Sequence, residues 1–297
     1  MNKAGIYSGI NNAVVNERAR AFKRNCARNL SAIRKFGGLG RVVTTIAGRH
    51  AVVIGAGPSL DASLSGLQAC AGNPEICLIA ADMALLPLRA AGVRPDFVIS
   101  CESTPTPYFR GILTGDLHLL AFSCISPHNL AQWEGDISFY NWMIKGDMYE
   151  ELWRTAGEDL GFVATGSVVL SQAVSIVLGC AVKSLLLVGN DLAYGKSYYA
   201  HGTRAAERFV RTSTRILPPE SAEFGVIRAN RAFAITRQGA VYHTNNQFLS
   251  ARYWFEELFK SASVPIYDSS VPGVSPSAAR KLKCGEYLEL IGVIGGR

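Results

Sequence analysis

Ala51-Val52-Val53-Ile54-Gly55-Ala56-Gly57-Pro58-Ser59-Leu60 is the stretch that decides the fold. Four apolar, β-compatible residues end at Gly55. Gly55 and Gly57 permit backbone torsions closed to other residues. Pro58 suits the first turn of a helix, where its missing N–H is not needed. The stretch therefore reads as a buried strand, a glycine turn and a helix. Such a junction aims free N–H groups and the positive end of a helix dipole at one point, which favours an anion, most often a phosphate. A plain tight turn between strand and helix explains the glycines equally well.

Downstream, the same alternation repeats. Ile76 to Ala80 is a short buried strand with Asp82 just beyond it. Asp96 to Ser100 is a third, followed by Glu102. Leu117 to Ser123 and Ile137 to Trp142 are further strand candidates, and Ser184 to Val188 leads into Gly189-Asn190-Asp191. Pro58 to Ala71 and a long uncharged segment starting at Thr165-Gly166-Ser167 read as helices. In the latter, Thr165 or Ser167 is the N-cap. Short, wholly apolar strands alternating with helices predict an α/β fold, a Rossmann-like, mostly parallel sheet covered on both faces. Ligands of such sheets bind beyond the carboxyl ends of the strands. Gly55, Gly57, Asp82, Glu102 and Asp191 all fall there, although a lone Asp at such a place is more often a cap or turn residue.

The flanks differ. Residues 1–13 read as a poorly ordered lead and 14–36 as an amphipathic helix with Val15, Phe22, Cys26, Leu30 and Ile33 on one stripe. Eight of the 30 Lys and Arg residues, but one of the 23 Asp and Glu residues, lie in 16–41. The net charge of +7 thus belongs to this segment, and a general nucleic-acid-binding surface is not expected. Its basic face is read first as a solvated helix face, and second as a contact for an acidic partner, anionic lipid or a phosphorylated ligand. Residues 195–230 form a polar, arginine-bearing excursion, a lid over the site or a surface insertion. Ala232 to Ile235 and Ala240 to His243 form a hairpin, Phe248 to Lys260 a helix, and Val264 to Tyr267 a late edge strand. The domain plan is a basic helical extension (1–49), a Rossmann-like body (50–275) and a C-terminal tail (276–297).

Seven dispersed cysteines without a CxxC pair fit reduced thiols. The start of the chain lacks the pattern of a secretory signal, and the uncharged run 161–182 carries too many hydroxyl and amide side chains for a membrane span. A cytoplasmic protein is the expectation. The turn lacks the third glycine of a dinucleotide fingerprint and the lysine of a P-loop, and no GxSxG elbow occurs. Among five histidines, His201 follows Asp191 and Tyr194 by a short polar loop. It is either a general base at the same rim or a surface histidine.

GAGPSL (55–60), ADMALLPLRAAGVRPDFVISCE (81–102), TGSVVLSQAVSIVLGCAVKSLLLVGNDLAY (165–194) and GAVYHTNNQFLSARYWFEELF (239–259) occur in that order. Together they resemble the MptE-like domain family, the group that includes the flagellar motility accessory factor (Maf) glycosyltransferases. The basic helix with Asn25 and Asn29 looks like the lead-in to the Maf central domain. The order is similar, more distantly, to the family 42 sialyltransferases. The resemblance implies that Gly55, Ala56, Gly57 and Ser59 face a nucleotide, with Asp82 and Asp191 beside it. It implies that Thr165, Gly166 and Ser167 meet its ribose or phosphate, that Tyr194 lies near the phosphate, and that His201 is the base. The implied activity is transfer of a nonulosonic acid from a CMP-sugar to a flagellin Ser or Thr or a related acceptor. A second implied activity is ATP-dependent pyrophosphate transfer to 6-hydroxymethyl-dihydropterin, with magnesium on Asp82, Glu102 and Asp191. Where many members carry an aspartate, this chain has Glu102, and 297 residues leave no room for the flanking domains of full-length Maf proteins. A non-catalytic nucleotide-binding scaffold, or an oligomer of one, is also compatible with the sequence.

Overall fold

The computed structural model describes residues 3–144, 147–211, 214–230, 233–237 and 239–294. In chain order the elements begin with α1 (Lys3–Phe36), α2 (Gly40–Ile46), β1 (His50–Ile54), α3 (Leu64–Cys70) and β2 (Ile76–Ala81). Then come α4 (Leu85–Ala90), β3 (Phe97–Ser100), β4 (His118–Phe122), α5 (Pro127–Leu130), β5 (Asp136–Trp142) and α6 (Asp147–Ala156). The next are β6 (Phe162–Val163), α7 (Val169–Leu178), β7 (Ser184–Val188), α8 (Arg204–Arg211) and α9 (Pro219–Asn230). The last are β8 (Phe233–Arg237), β9 (Ala240–Thr244), α10 (Asn246–Lys260), β10 (Ile266–Asp268), β11 (Arg280–Lys281) and α11 (Cys284–Leu290).

Nine strands form one sheet in the order β11-β10-β7-β1-β2-β3-β4-β5-β6, and β8 pairs with β9 in a separate antiparallel hairpin. All eight pairings of the large sheet are parallel. Strands β1, β2 and β7 are almost wholly buried, as a parallel sheet covered on both faces requires. Alternate residues of β1 face opposite cores: Ala51 and Val53 pack on one side, Val52 and Ile54 on the other. Helix α7 is buried, and among the described residues no helix is long and apolar enough to cross a membrane.

Three expectations change. The helix at the N-terminus runs back to Lys3 instead of beginning near residue 14. Phe22, Cys26 and Ile33 of its apolar stripe enter the main core, with Phe22 and Cys26 fully buried. Arg20, Arg24, Arg28, Arg34 and Lys35 stay exposed on its other side. Phe22 meets Phe122 and Trp142 edge-on at 5.3 and 5.5 Å. Asn25 donates to the carbonyls of Ser103 and Cys124, and Asn29 to those of Ser123 and Ile125. Second, β10 is not an edge strand: it lies between β7 and β11. The tail supplies β11, whose Lys281 reaches the buried Asp268 at 2.7 Å. Third, the helix expected over Pro58 to Ala71 divides into a 3-10 turn, Pro58–Ser63, and α3. In the 195–230 excursion α8 and α9 are helical. Ala232 and Gln238, parts of the expected hairpin, lie outside the described residues.

Candidate functional site

A cavity of about 630 Å³ opens at the carboxyl ends of β1, β2, β3 and β7. Gly55, Ala56, Gly57, Asp82, Glu102, Thr165, Ser167 and Asp191 line it, so most of the residues expected at the rim do converge. Ser59, Gly166, Tyr194 and His201 do not line it.

The glycine turn works differently from its sequence reading. Neither Gly55 nor Gly57 has a positive φ, and Gly57 is extended at φ −70° and ψ 159°. What demands glycine is close approach. A Cβ on Gly55 would collide with the carbonyl of Gly189, and one on Gly57 with the Asp191 carboxylate. The expected free donors are engaged as well. Gly55 N–H donates to Val188 O at 2.7 Å, Gly57 N–H to Gly189 O at 2.9 Å, and Ser59 N–H to Asp191 Oδ2 at 2.8 Å. The turn is a buttress between β1 and β7 more than an anion nest.

Donors come instead from α7. That helix begins at Val169, with Val168 as its N-cap. Val169 and Leu170 line the cavity. Their N–H groups stand in the first helical turn, where no intrahelical acceptor exists, at the positive end of the dipole. Ser167 is held at φ 70°, an uncommon conformation that clusters at functional sites. Leu192, also in the cavity wall, has φ 52°. Gly166 packs against the Trp254 ring, with room for no side chain, and its N–H donates to Ser171 Oγ at 2.6 Å.

Acid groups are concentrated here. Asp82 is buried, accepting from Ser100 Oγ at 2.6 Å and Met83 N–H at 2.8 Å. Burial, and then the Glu102 charge, push its pKa up to about 7. Burial also raises Glu102, against the opposing pull of Arg18. Asp191 is pushed up to about 6, again by burial, with the Ser59 hydrogen bond working the other way. Shifts of this kind are typical of functional clefts. Ser59 Oγ, Asn190 Oδ1 and Nδ2, and Asp191 Oδ1 are four buried polar atoms without a hydrogen-bond partner among the described residues, all around this turn. Buried orphans are uncommon in native folds.

Magnesium fits these residues poorly. Asp191 Oδ2 is committed to Ser59, and among the described residues no three His, Cys, Asp or Glu side chains come together as a metal-holding group.

His201 stands outside the cavity for a traceable reason. Tyr198 and Tyr199 line the cavity. The chain then crosses the glycine turn at Ala200, whose N–H donates to Ala56 O at 2.9 Å. It exits so that the His201 N–H meets the Asp61 carboxylate at 3.0 Å, leaving the residue exposed. Tyr194 is buried behind the cavity wall, stacked on Tyr198 with centroids 4.6 Å apart and bridged to His243 through its backbone.

Sequence reasoning missed Arg18, Trp142, Gln172, Tyr198, Tyr199 and the start of α10. Arg18 did carry a signal: it precedes Phe22 by four residues and Cys26 by eight, on the stripe that is otherwise apolar. Gln172 accepts from Tyr140 Oη at 2.6 Å and Trp142 Nε1 at 3.0 Å, a junction of α7 and β5 with no local sequence mark.

Fold and site together define a parallel α/β protein with a carboxylate-bearing cavity at the carboxyl rim of its sheet. The chain belongs to the MptE-like family: the family model described as 6-hydroxymethylpterin diphosphokinase MptE-like matches residues 24–197. Among solved structures it is similar to a Maf glycosyltransferase from Magnetospirillum magneticum AMB-1, with a TM-score of 0.54 and 16% identity over 80% of this chain. At that identity the likeness is one of fold, and the matched region is 34%, about a third, of the Magnetospirillum protein. No curated protein sequence matches the chain.

Proposed function

We propose that the chain is a glycosyltransferase acting on a nucleotide-linked sugar. One observation carries the reading: the first turn of α7 and the Asp82–Glu102 carboxylate pair share a single cavity. The helix start offers fixed N–H dipoles to a phosphate, and to the charge that grows on it as the sugar departs. A buried carboxylate with a pKa near 7 suits removal of a proton from an acceptor hydroxyl. In this reading Asp82 takes that proton, Glu102 raises its basicity, and Tyr198 and Tyr199 supply aromatic surface. Residues 195–230 act as a lid over the 50–275 body. The Maf-like fold supports the reaction class. A CMP donor, a nonulosonic acid and a flagellin Ser or Thr acceptor rest on family likeness. The deciding experiment is a thermal-shift titration with CMP, CDP, ATP and GTP, with and without magnesium. Stabilisation by CMP without magnesium is the expected result. Stabilisation by ATP only with magnesium would transfer the reading to the pterin pyrophosphokinase, and no shift with any nucleotide would overturn both.

A further inference from the structure

We infer that Arg18 binds an anionic group of the ligand, so that α1 is part of the binding site as well as a packing element. Seven of the eight basic residues in 16–41 have no part in the cavity, but Arg18 lines it. Among the described residues it is the one Lys or Arg that does so, facing a wall that holds Asp82, Glu102 and Asp191. It makes no direct ion pair among the described residues, although its charge is felt at Glu102. A guanidinium carries five donors in a planar fork suited to phosphate or carboxylate oxygens.

Its placement is fixed by the residues that follow it. Phe22 lies one helical turn on and packs against Phe122 and Trp142, and Trp142 is itself in the cavity wall. Asn25 and Asn29 then tie α1 to four carbonyls in the loops after β3 and β4. Glu102 sits in the first of those loops, and Ser126 N–H of the second donates to its carbonyl at 2.8 Å, so α1 is tied to the acidic end of the cavity. Arg18 lies outside the 24–197 segment that matches the family model. The inference rests on the cavity being the ligand site, as proposed above, but not on which nucleotide fills it.

The test uses the full chain and the variants Arg18→Gln and Arg18→Lys. Crystals soaked in sodium tungstate should show the oxyanion against the Arg18 guanidinium in the wild type. In Arg18→Gln that density should vanish while any tungstate at the α7 start remains. Tungstate elsewhere in the cavity but never at Arg18 would overturn the inference and leave the transferase reading untouched. In solution, CMP and CMP-N-acetylneuraminate distinguish the source of the anion. A tenfold or greater loss of affinity in Arg18→Gln for both compounds assigns the nucleotide phosphate. A loss confined to the second assigns the sugar carboxylate. Arg18→Lys should recover part of either loss. Unchanged affinity for both compounds in Arg18→Gln overturns the inference. If neither compound binds the wild type, the nucleotide reading fails by itself and the tungstate result still decides Arg18.

Discussion

The backbone N–H of Ser59 donates to Oδ2 of Asp191 at 2.8 Å, tying the turn after β1 to the turn after β7. The same oxygen is what a side chain on Gly57 would strike. Asp191→Ala strands a buried N–H, at a cost of about 1–3 kcal/mol. Gly57→Ala overpacks the same spot for about 1–3 kcal/mol. Because the methyl and the carboxylate compete for one space, the double variant should be more stable than the two losses summed, by at least about 0.5 kcal/mol. Urea titration of the four proteins measures this, and strict additivity would show that the two turns are not in contact.

Asp82 gives a pH dependence with a definite sign. Its folded pKa of about 7 lies above the ordinary aspartate value of 3.8, so between these limits the folded state holds more protons than the unfolded one. Stability from this group is greatest below pH 4 and declines as pH rises through 7. From pH 5 to pH 8 the decline is about 3 kcal/mol. Asp82→Asn removes the charge that burial penalises. The variant should gain on wild type in Tm as pH rises, and parallel Tm profiles from pH 5 to 8 would refute the shift.

Parallel sheet, strand sequence and the gathering of Asp82, Glu102 and Asp191 were legible because they are written locally, as apolar runs with a polar residue after each. The chemistry of the turn was not. Whether Gly57 frees its N–H or spends it on Gly189 O depends on β7, more than a hundred residues away. The position of His201 depends in the same way on Ala200 crossing the turn and on Asp61 holding the next N–H. Helix α7 was expected to begin within Thr165-Gly166-Ser167, yet Ser171 Oγ takes the Gly166 N–H and Trp254 fills the space beside it, and the helix begins at Val169. Apart from the local Gly166–Ser171 bond, each of these is a long-range contact with no periodic signature.

The placement of His201 separates two assignments of the base. With a CMP-sugar donor, His201→Ala should keep kcat/KM within about threefold of wild type, whereas removal of a general base costs roughly 10²–10⁴-fold. Asp82→Asn should show a loss of that size, with CMP affinity retained. If instead His201→Ala is the inactive variant, the loop after Tyr199 must swing inward in the complex, and the carboxylate assignment fails.

Helix α1 should prove indispensable to the fold. Phe22→Ala empties a fully buried site among Phe122 and Trp142, at a cost of about 3–5 kcal/mol. Asn29→Ala leaves two carbonyl acceptors without their donor, for about 1–3 kcal/mol. Guanidinium melts that show both variants within 0.5 kcal/mol of wild type, a margin of about the size expected at a surface site, would mean that α1 is only loosely attached.

The C-terminal residues make the last case, because Lys281 is the partner of an acid that water does not reach. Asp268 has a fully buried side chain and accepts from Ser270 N–H, Val274 N–H and Lys281 Nζ. Ser270 Oγ in turn receives the Asn190 N–H at 2.7 Å, so this knot supports the turn that carries Asp191. Lys281→Met strands the charge of Asp268 in the core, which costs about 3–5 kcal/mol. Burial already raises Asp268 despite the lysine, and without it the carboxyl should rise further. The loss should therefore shrink as pH is lowered, when the orphaned acid takes up a proton. Adding Asp268→Asn should recover most of the stability at pH 8, because it removes the charge instead of its partner. Denaturant melts at pH 5 and pH 8 would show both effects, and a Lys281→Met penalty that is the same at the two values would mean that Asp268 keeps its charge by some other contact.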